Sequence, residues 1–192
     1  MSQENVEIVR GVRIALSPLS ERASQRRTLD DRLFVRFPVL YRLFSGAVLR
    51  MPPGSRIRRL MIARASQRAY AAGNRRDFER LLMALDPELE YRPRGGLYAA
   101  DLPTVVHGRD EYREVWETTL DAFEDLRIES EEIFDFGDKQ LVTVEFRAHG
   151  SGSGVPVSQR VFEVLEIRRG LVVRAEDFED RSEALEAAGL SE

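Results

Sequence analysis

Two runs near the end of the chain carry the side chains best suited to chemistry. In residues 171–178, LVVRAEDF, Arg174, Glu176 and Phe178 share one side of an extended strand, opposite Val173, Ala175 and Asp177. In residues 155–167, Arg160, Phe162 and Val164 oppose Val161, Glu163 and Leu165 in the same way. Carboxylates alternating with large apolar residues are material for acid/base catalysis: desolvation in an apolar cavity raises a carboxyl pKa towards neutrality, where the group can both take and give a proton. Glu145, on a third alternating run, belongs with them. Other chemistries lack their residues. The chain has no cysteine, which excludes thiolate nucleophiles, disulfides and cysteine metal sites. Its two histidines, His107 and His149, fall on separate elements, so no dedicated metal site is expected. GRDEYR at 108–113 and GSGSG at 150–154 lack the strand and helix context of a phosphate loop or dinucleotide fingerprint, and no G-x-S-x-G occurs. Serine hydrolases, kinases and dehydrogenases are therefore poor fits, and no cofactor is expected.

The elements that must position these groups are legible in order. Thr28 caps a helix with Asp31 three residues on, and Leu29, Leu33, Phe34 and Phe37 supply its apolar stripe. Pro38 restarts a helix through 39–51 that is apolar nearly all round, Pro52-Pro53-Gly54 ends it, and Ser55 caps a long third helix. Gly73 and Asn74 are suited to the left-handed conformation that closes that helix. Asp77 then caps a short one with the stripe Phe78, Leu81, Leu82 and Leu85, which Asp86-Pro87 breaks before a strand at 89–92. A Gly- and Pro-containing loop, 94–103, carries Tyr98 and Asp101 and is suited to rimming a pocket. Tyr112, Val115, Trp116, Thr119, Leu120 and Phe123 share one face of the next helix. An antiparallel meander follows: 126–136, a Gly137-Asp138 turn, 141–149, a flexible 150–154 connection, 155–167, a tight Arg169-Gly170 hairpin and 171–178. Asp180 with Glu183 starts a terminal helix that Gly189 closes. Later strands carry apolar residues on both faces, which calls for helices on one side and a second subunit on the other.

With 192 residues and 43% hydrophobic content, the chain suits one domain with an appendage. Net charge is −4, but it is unevenly spread. Residues 1–68 hold 14 arginines, no lysine and five acidic residues, a balance of +9, and the remainder stands at −13. The arginines at 36, 42, 50, 56, 58 and 59 punctuate large apolar and aromatic side chains, the composition of an interfacial helix drawn to anionic lipid. The alternative, that these helices cover the domain's own core or a dimer partner, is preferred, because basic amphipathic helices more often pack against soluble partners. A nucleic-acid partner is not expected, since no recognition motif accompanies the arginines and the whole chain is acidic. The polar start and the absence of a spanning apolar run lead us to expect a cytoplasmic protein.

The run AAGNRRDFERLLMALDPELEYRP at 71–93, with HGRDEYREVWE, RRGLVVRAEDF and DRSEALEAAGL after it, resembles the SnoaL-like branch of the NTF2-like superfamily. The likeness covers roughly residues 60–190. It implies an α+β cone, a strongly curved antiparallel sheet wrapped around helices, with a pocket at the open end and often a homodimer through the sheet's outer face. Members include isomerases, cyclases, hydrolases and proteins without known catalysis. Two segments follow from the comparison: a helical, arginine-rich part at 1–54, longer than the family pattern, and the cone at 55–192. Glu176 matches an acidic position in the last strand of such proteins and is the leading catalytic candidate, ahead of Arg160, Glu145 and Glu163. His107 matches a polar position before glycine and is the second catalytic candidate. The expected ligand-binding set is Tyr91, Tyr98, Tyr112, Trp116, Arg160, Phe162 and Phe178, around a small, mostly apolar molecule. An Asp/Tyr pair or Asp-Arg-Asp constellation, expected of catalytic members, does not appear at matching positions. A non-catalytic dimeric scaffold, or a protein acting through its arginine-rich helices with weak attraction to anionic membranes, is the second reading.

Overall fold

A computed structural model describes residues 11–17, 25–95, 102–123, 125–149 and 156–189. Tyr98 and Asp101 in the 94–103 loop, and the 150–154 connection, lie outside the described residues. The architecture is α+β, with a curved, unclosed seven-stranded sheet in the order β1-β4-β5-β6-β7-β2-β3. Its strands are β1 (Val12–Ala15), β2 (Leu85–Arg92), β3 (Val106–His107), β4 (Arg127–Asp135), β5 (Lys139–His149), β6 (Pro156–Arg168) and β7 (Leu171–Phe178). The helices are α1 (Leu29–Arg36), α2 (Pro38–Leu49), α3 (Arg56–Asn74), α4 (Phe78–Leu82), α5 (Gly108–Asp121) and α6 (Arg181–Ala187). Every strand pairing is antiparallel except β2 on β7, which is parallel and carries a register shift between Leu85 and Glu90.

Local chemistry accounts for most boundaries. Thr28 and Asp31 cap α1 reciprocally, Ser55 caps α3, Asp77 caps α4, and Asp180 accepts from the amides of Ser182 and Glu183 at the start of α6. Arg169 and Gly170 both have positive φ, the geometry of the tight hairpin that joins β6 to β7. Two expectations at the centre of the chain change. Gly73 does not close α3 in a left-handed turn; the left-handed residue is Arg76, at φ 57°. Gly73 is instead a contact point, since a Cβ there would lie 2.2 Å from Trp116 Cζ3. The stripe ending in Leu85 is cut short as well. α4 stops at Leu82, and Leu85 already opens β2, because pairing with Val172 of β7 supplies the backbone partners that another helical turn would have given.

The sheet buries both faces. On the concave face Leu89, Val142, Val144 and Ala175 join Ala72 of α3 and Trp116 of α5 in the main core. On the convex face Phe134, Leu141, Val164 and Phe178 pack under Ala184 and Ala188, so this chain's own α6 covers part of the side where a second subunit is expected. The arginine-rich helices are fastened to the cone by buried ion pairs. Asp31 of α1 takes hydrogen bonds from Arg80 Nε at 2.5 Å and Arg68 Nη1 at 2.9 Å. Arg58 donates to both Asp135 oxygens at 2.7 Å and to the carbonyls of Met51 and Gly137, which ties the end of α2, the start of α3 and the β4–β5 turn together. Planar guanidinium groups suit such junctions because their fixed fork satisfies several acceptors at once.

Candidate functional site

Between the concave face of the sheet and the helices lies an apolar cavity of about 160 Å³. Its floor is sheet (Val142, Glu163, Leu165 and Ala175) and its sides are α3 and α5. Its cover is α2, whose Tyr41, Phe44, Ser45, Val48 and Leu49 face it. α2 is seated on the β6–β7 hairpin: Ser45 Oγ donates to the Gly170 carbonyl at 2.7 Å, and a Cβ on Gly170 would come within 2.4 Å of that hydroxyl oxygen. Only glycine meets both the positive φ and the close approach. A second cavity of about 60 Å³ adjoins it, and the two share the side chains of Tyr70, Tyr112, Trp116 and Glu163 as a partition. Tyr91 and Asp177 line the second one only.

The ionisable groups lining the two cavities are two carboxyls, Glu163 and Asp177, and four phenols, Tyr41, Tyr70, Tyr91 and Tyr112. Glu163 on β6 and Asp177 on β7 are direct cross-strand partners, so their side chains leave the sheet on one face from Cα atoms about 4.5–5.5 Å apart. Each has its own tyrosine. The Tyr70 hydroxyl of α3 donates to Glu163 Oε2, and the Tyr91 hydroxyl of β2 donates to Asp177 Oδ2 at 2.6 Å. The Tyr112 ring stands edge-on to Tyr91 with centroids 5.0 Å apart. Burial pushes the Asp177 carboxyl well above the usual carboxylate range, and the neighbouring Glu163 charge adds to this, against the Tyr91 hydrogen bond. Burial raises Glu163 too, opposed by the Tyr70 hydrogen bond. Two like charges this close in an apolar space are unfavourable, so the pair favours carrying a proton over carrying two charges. Burial also raises the Tyr70, Tyr91 and Tyr112 phenols well above their ordinary value, and Tyr70 and Tyr91 act here as hydrogen-bond donors.

The structure sorts the sequence candidates by face. Tyr91, Tyr112 and Trp116 come together at the cavities, and Glu163 joins them. Glu176 is one residue from Asp177 and therefore on the opposite side of β7, where Arg94 Nε lies 3.0 Å and Arg174 Nη2 3.3 Å from its oxygens. Arg160 and Glu145 also lie outside the cavities: Arg160 pairs with Glu131 at 2.8 Å, and Glu145 pairs with Arg147. Phe162 and Phe178 pack in the convex cluster with α6. His107 is exposed at the head of α5, where its amide donates to Glu111 Oε2 at 2.7 Å. Asp177 and Tyr70 are the site residues that sequence reasoning did not nominate. Strand parity did set Asp177 opposite Glu176, but family position favoured the wrong-facing neighbour for this cavity. The carboxyl–phenol pairs were invisible because Tyr70 and Glu163 are 93 residues apart in sequence, and Tyr91 and Asp177 are 86 apart. Among the described residues no group of three or more His, Asp or Glu side chains is placed to hold a metal ion, and no helix is long and apolar enough to cross a membrane.

A family model described as a SnoaL-like domain matches residues 66–175. Among solved structures, the chain is similar to an NTF2-like protein of unknown function from Burkholderia pseudomallei K96243, with TM-score 0.53 and 23% identity over 66% of this chain and 94% of that one. It is similar to TerC, crystallised with polyporic acid, with TM-score 0.53 and 20% identity over 66% and 95% of the two chains. It is also similar to a loop-truncation variant of IdmH, with TM-score 0.51 and 22% identity over 66% and 98%. At these identities the likeness is one of fold. No curated protein sequence matches the chain.

Proposed function

The chain belongs to the SnoaL-like domain family, and we propose that it binds a small, mostly apolar molecule beneath α2 and moves a proton on it without a cofactor. The observation that carries this reading is a single arrangement: a cavity of about 160 Å³ walled by apolar side chains, with the Glu163 carboxyl in its floor and the Tyr70 hydroxyl bonded to it. Volume bounds the ligand. A dry, apolar cavity of about 150 Å³ accepts benzene, so a molecule of one or two rings fits and a large polycyclic one does not unless α2 yields. The crystallisation of TerC with polyporic acid supports an organic ligand for such a cone.

The roles follow from the environment. Asp177, which lines only the second cavity and sits across the ladder from Glu163, holds the proton and acts as the acid end of the pair. Glu163, which lines both cavities, is the base that reaches a ligand. Tyr70 donates to whichever oxygen carries negative charge, and a donor set in a water-poor pocket is worth more than one in water. Removal of a proton next to a carbonyl and its return at another carbon, the step of an isomerase or cyclase, needs these parts and no others.

A simple ketone tests the reading. With 2-tetralone in deuterated buffer, loss of the α-proton signal in one-dimensional NMR should be accelerated by the protein, and Glu163→Gln should slow that exchange by about 100-fold or more, the usual worth of a positioned base. Exchange at the buffer rate with a ketone that demonstrably binds overturns the acid/base half of the proposal.

A further inference from the structure

The large hydrophobic side chains that stand exposed among the described residues all fall between Leu29 and Leu60, on α1, α2, the residue joining them and the first turns of α3. Leu29 is 82% exposed, Val39 69%, Leu43 66% and Leu60 62%. Of these exposed side chains only Phe44 also lines the cavity, and none belongs to the convex cluster. A soluble surface scatters such residues singly, whereas a concentration of them on three consecutive, contacting helices marks a place that something covers. The platform is preformed. Phe34 of α1 meets Tyr41 of α2 edge-on and Phe44 at a tilt, with ring centroids 5.7 and 5.5 Å away, and Asp31 holds α1 to Arg80 and Arg68.

The charges on the same helices choose the occupant. Arg32, Arg36, Arg42, Arg50 and Arg56 are exposed, and none has an ion-pair partner among the described residues. On the sheet several arginines are matched, Arg147 with Glu145, Arg160 with Glu131 and Arg168 with Glu166, while Arg127 and Arg169 stand singly among the described residues. Exposed apolar side chains bordered by unmatched arginines have the composition of a face lying in the headgroup region of an anionic bilayer, where acyl chains take the apolar residues and phosphates take the guanidinium groups. A second copy fits less well. A two-fold interface centred here sets arginines against the same arginines, and like-charge juxtaposition is strongly unfavourable.

We propose that α1, α2 and the start of α3 form a docking face for an anionic membrane surface, which the protein occupies peripherally. This does not depend on what the cavity binds. The full chain should co-sediment with vesicles of equal parts phosphatidylglycerol and phosphatidylcholine, bind phosphatidylcholine alone far more weakly, and be released as salt shortens the range of the charges. Arg36→Gln with Arg42→Gln should lower the partition about 30-fold, each arginine near the surface being worth about fivefold. Leu43→Ser with Leu60→Ser should lower it as well. All four positions are exposed, so circular dichroism and thermal unfolding should match the parent, and either pair suffices if the other fails to fold. Equal partition onto neutral and anionic vesicles overturns the proposal, as does no partition onto either. Sedimentation velocity showing lipid-independent self-association that Leu43→Ser with Leu60→Ser abolishes overturns it in favour of a second copy.

Discussion

Asp177 and Glu163 face each other inside an apolar space, and their burial has a consequence for stability that is separable from catalysis. A carboxyl raised in the folded state binds a proton there that it releases in the unfolded chain, so stability is full below the unfolded value near pH 4 and declines as pH rises through the folded value. Asp177→Asn removes that penalty while leaving an oxygen to accept from Tyr91. Its melting temperature should exceed the parent's at pH 8, with the gap closing towards pH 4; a constant gap across that range would show that Asp177 is not raised. Asp31 behaves oppositely. Burial works against its charge, but hydrogen bonds from Arg80, the Thr28 amide and the Thr28 hydroxyl hold it well below the usual range. Its contribution is present above about pH 4 and lost as the solution is acidified below that. Asp31→Asn leaves Arg80 buried and underpaired and should cost about 3–5 kcal/mol in denaturant unfolding at pH 7. Of these residues the sequence revealed Asp31 through its capping spacing to Thr28, a local signal. Asp177 was not recoverable in this way, because which face of β7 points inward depends on pairings with β2 and β6 that parity alone does not contain.

Among the elements, α2 has the least ordinary position. Its inner side covers the cavity, its outer side is exposed, and its seat is a hairpin in which glycine is required. Gly170→Ala forces a side chain into positive φ, worth about 1–2 kcal/mol, and pushes Ser45 and the α2 backbone away. We expect the melting temperature to fall by at least about 4 °C on the scale of a chain this size. α3 offers a parallel case. Gly73→Ala gains helix propensity worth about 1 kcal/mol, but its Cβ would sit 2.2 Å from Trp116, and overpacking of a close core contact costs about 1–3 kcal/mol. The clash should win. Since Trp116 is the chain's single tryptophan, a shift in its emission should accompany the loss of stability. Most element boundaries were readable from caps and turns, including Thr28, Ser55, Asp77, Arg169-Gly170 and Asp180. The seat of α2 was not, because Ser45 and Gly170 are 125 residues apart and each looks unremarkable in its own segment.

For the whole molecule, the arginine-rich segment and the cone form one packed body through Asp31, Arg58 and Ser45. The uneven charge is partly spent internally, on Arg58, Arg68 and Arg80, and partly displayed, on the exposed arginines of α1 and α2. Family resemblance was legible in the sequence of residues 71–93, although two of its local readings, the Gly73 helix end and the stripe through Leu85, changed in the structure. The proposed chemistry was legible only as a class, carboxyl acid/base work, since the choice among Glu145, Glu163, Glu176 and Asp177 rests on tertiary register. The central claim is that the space beneath α2 is a binding cavity, and filling it tests that most directly. Fluorescence titration with 2-naphthol should give saturable binding to the parent chain and none to Ala65→Phe, which places a ring in the cavity from α3. Equal binding by both proteins, or none by the parent, would contradict the account.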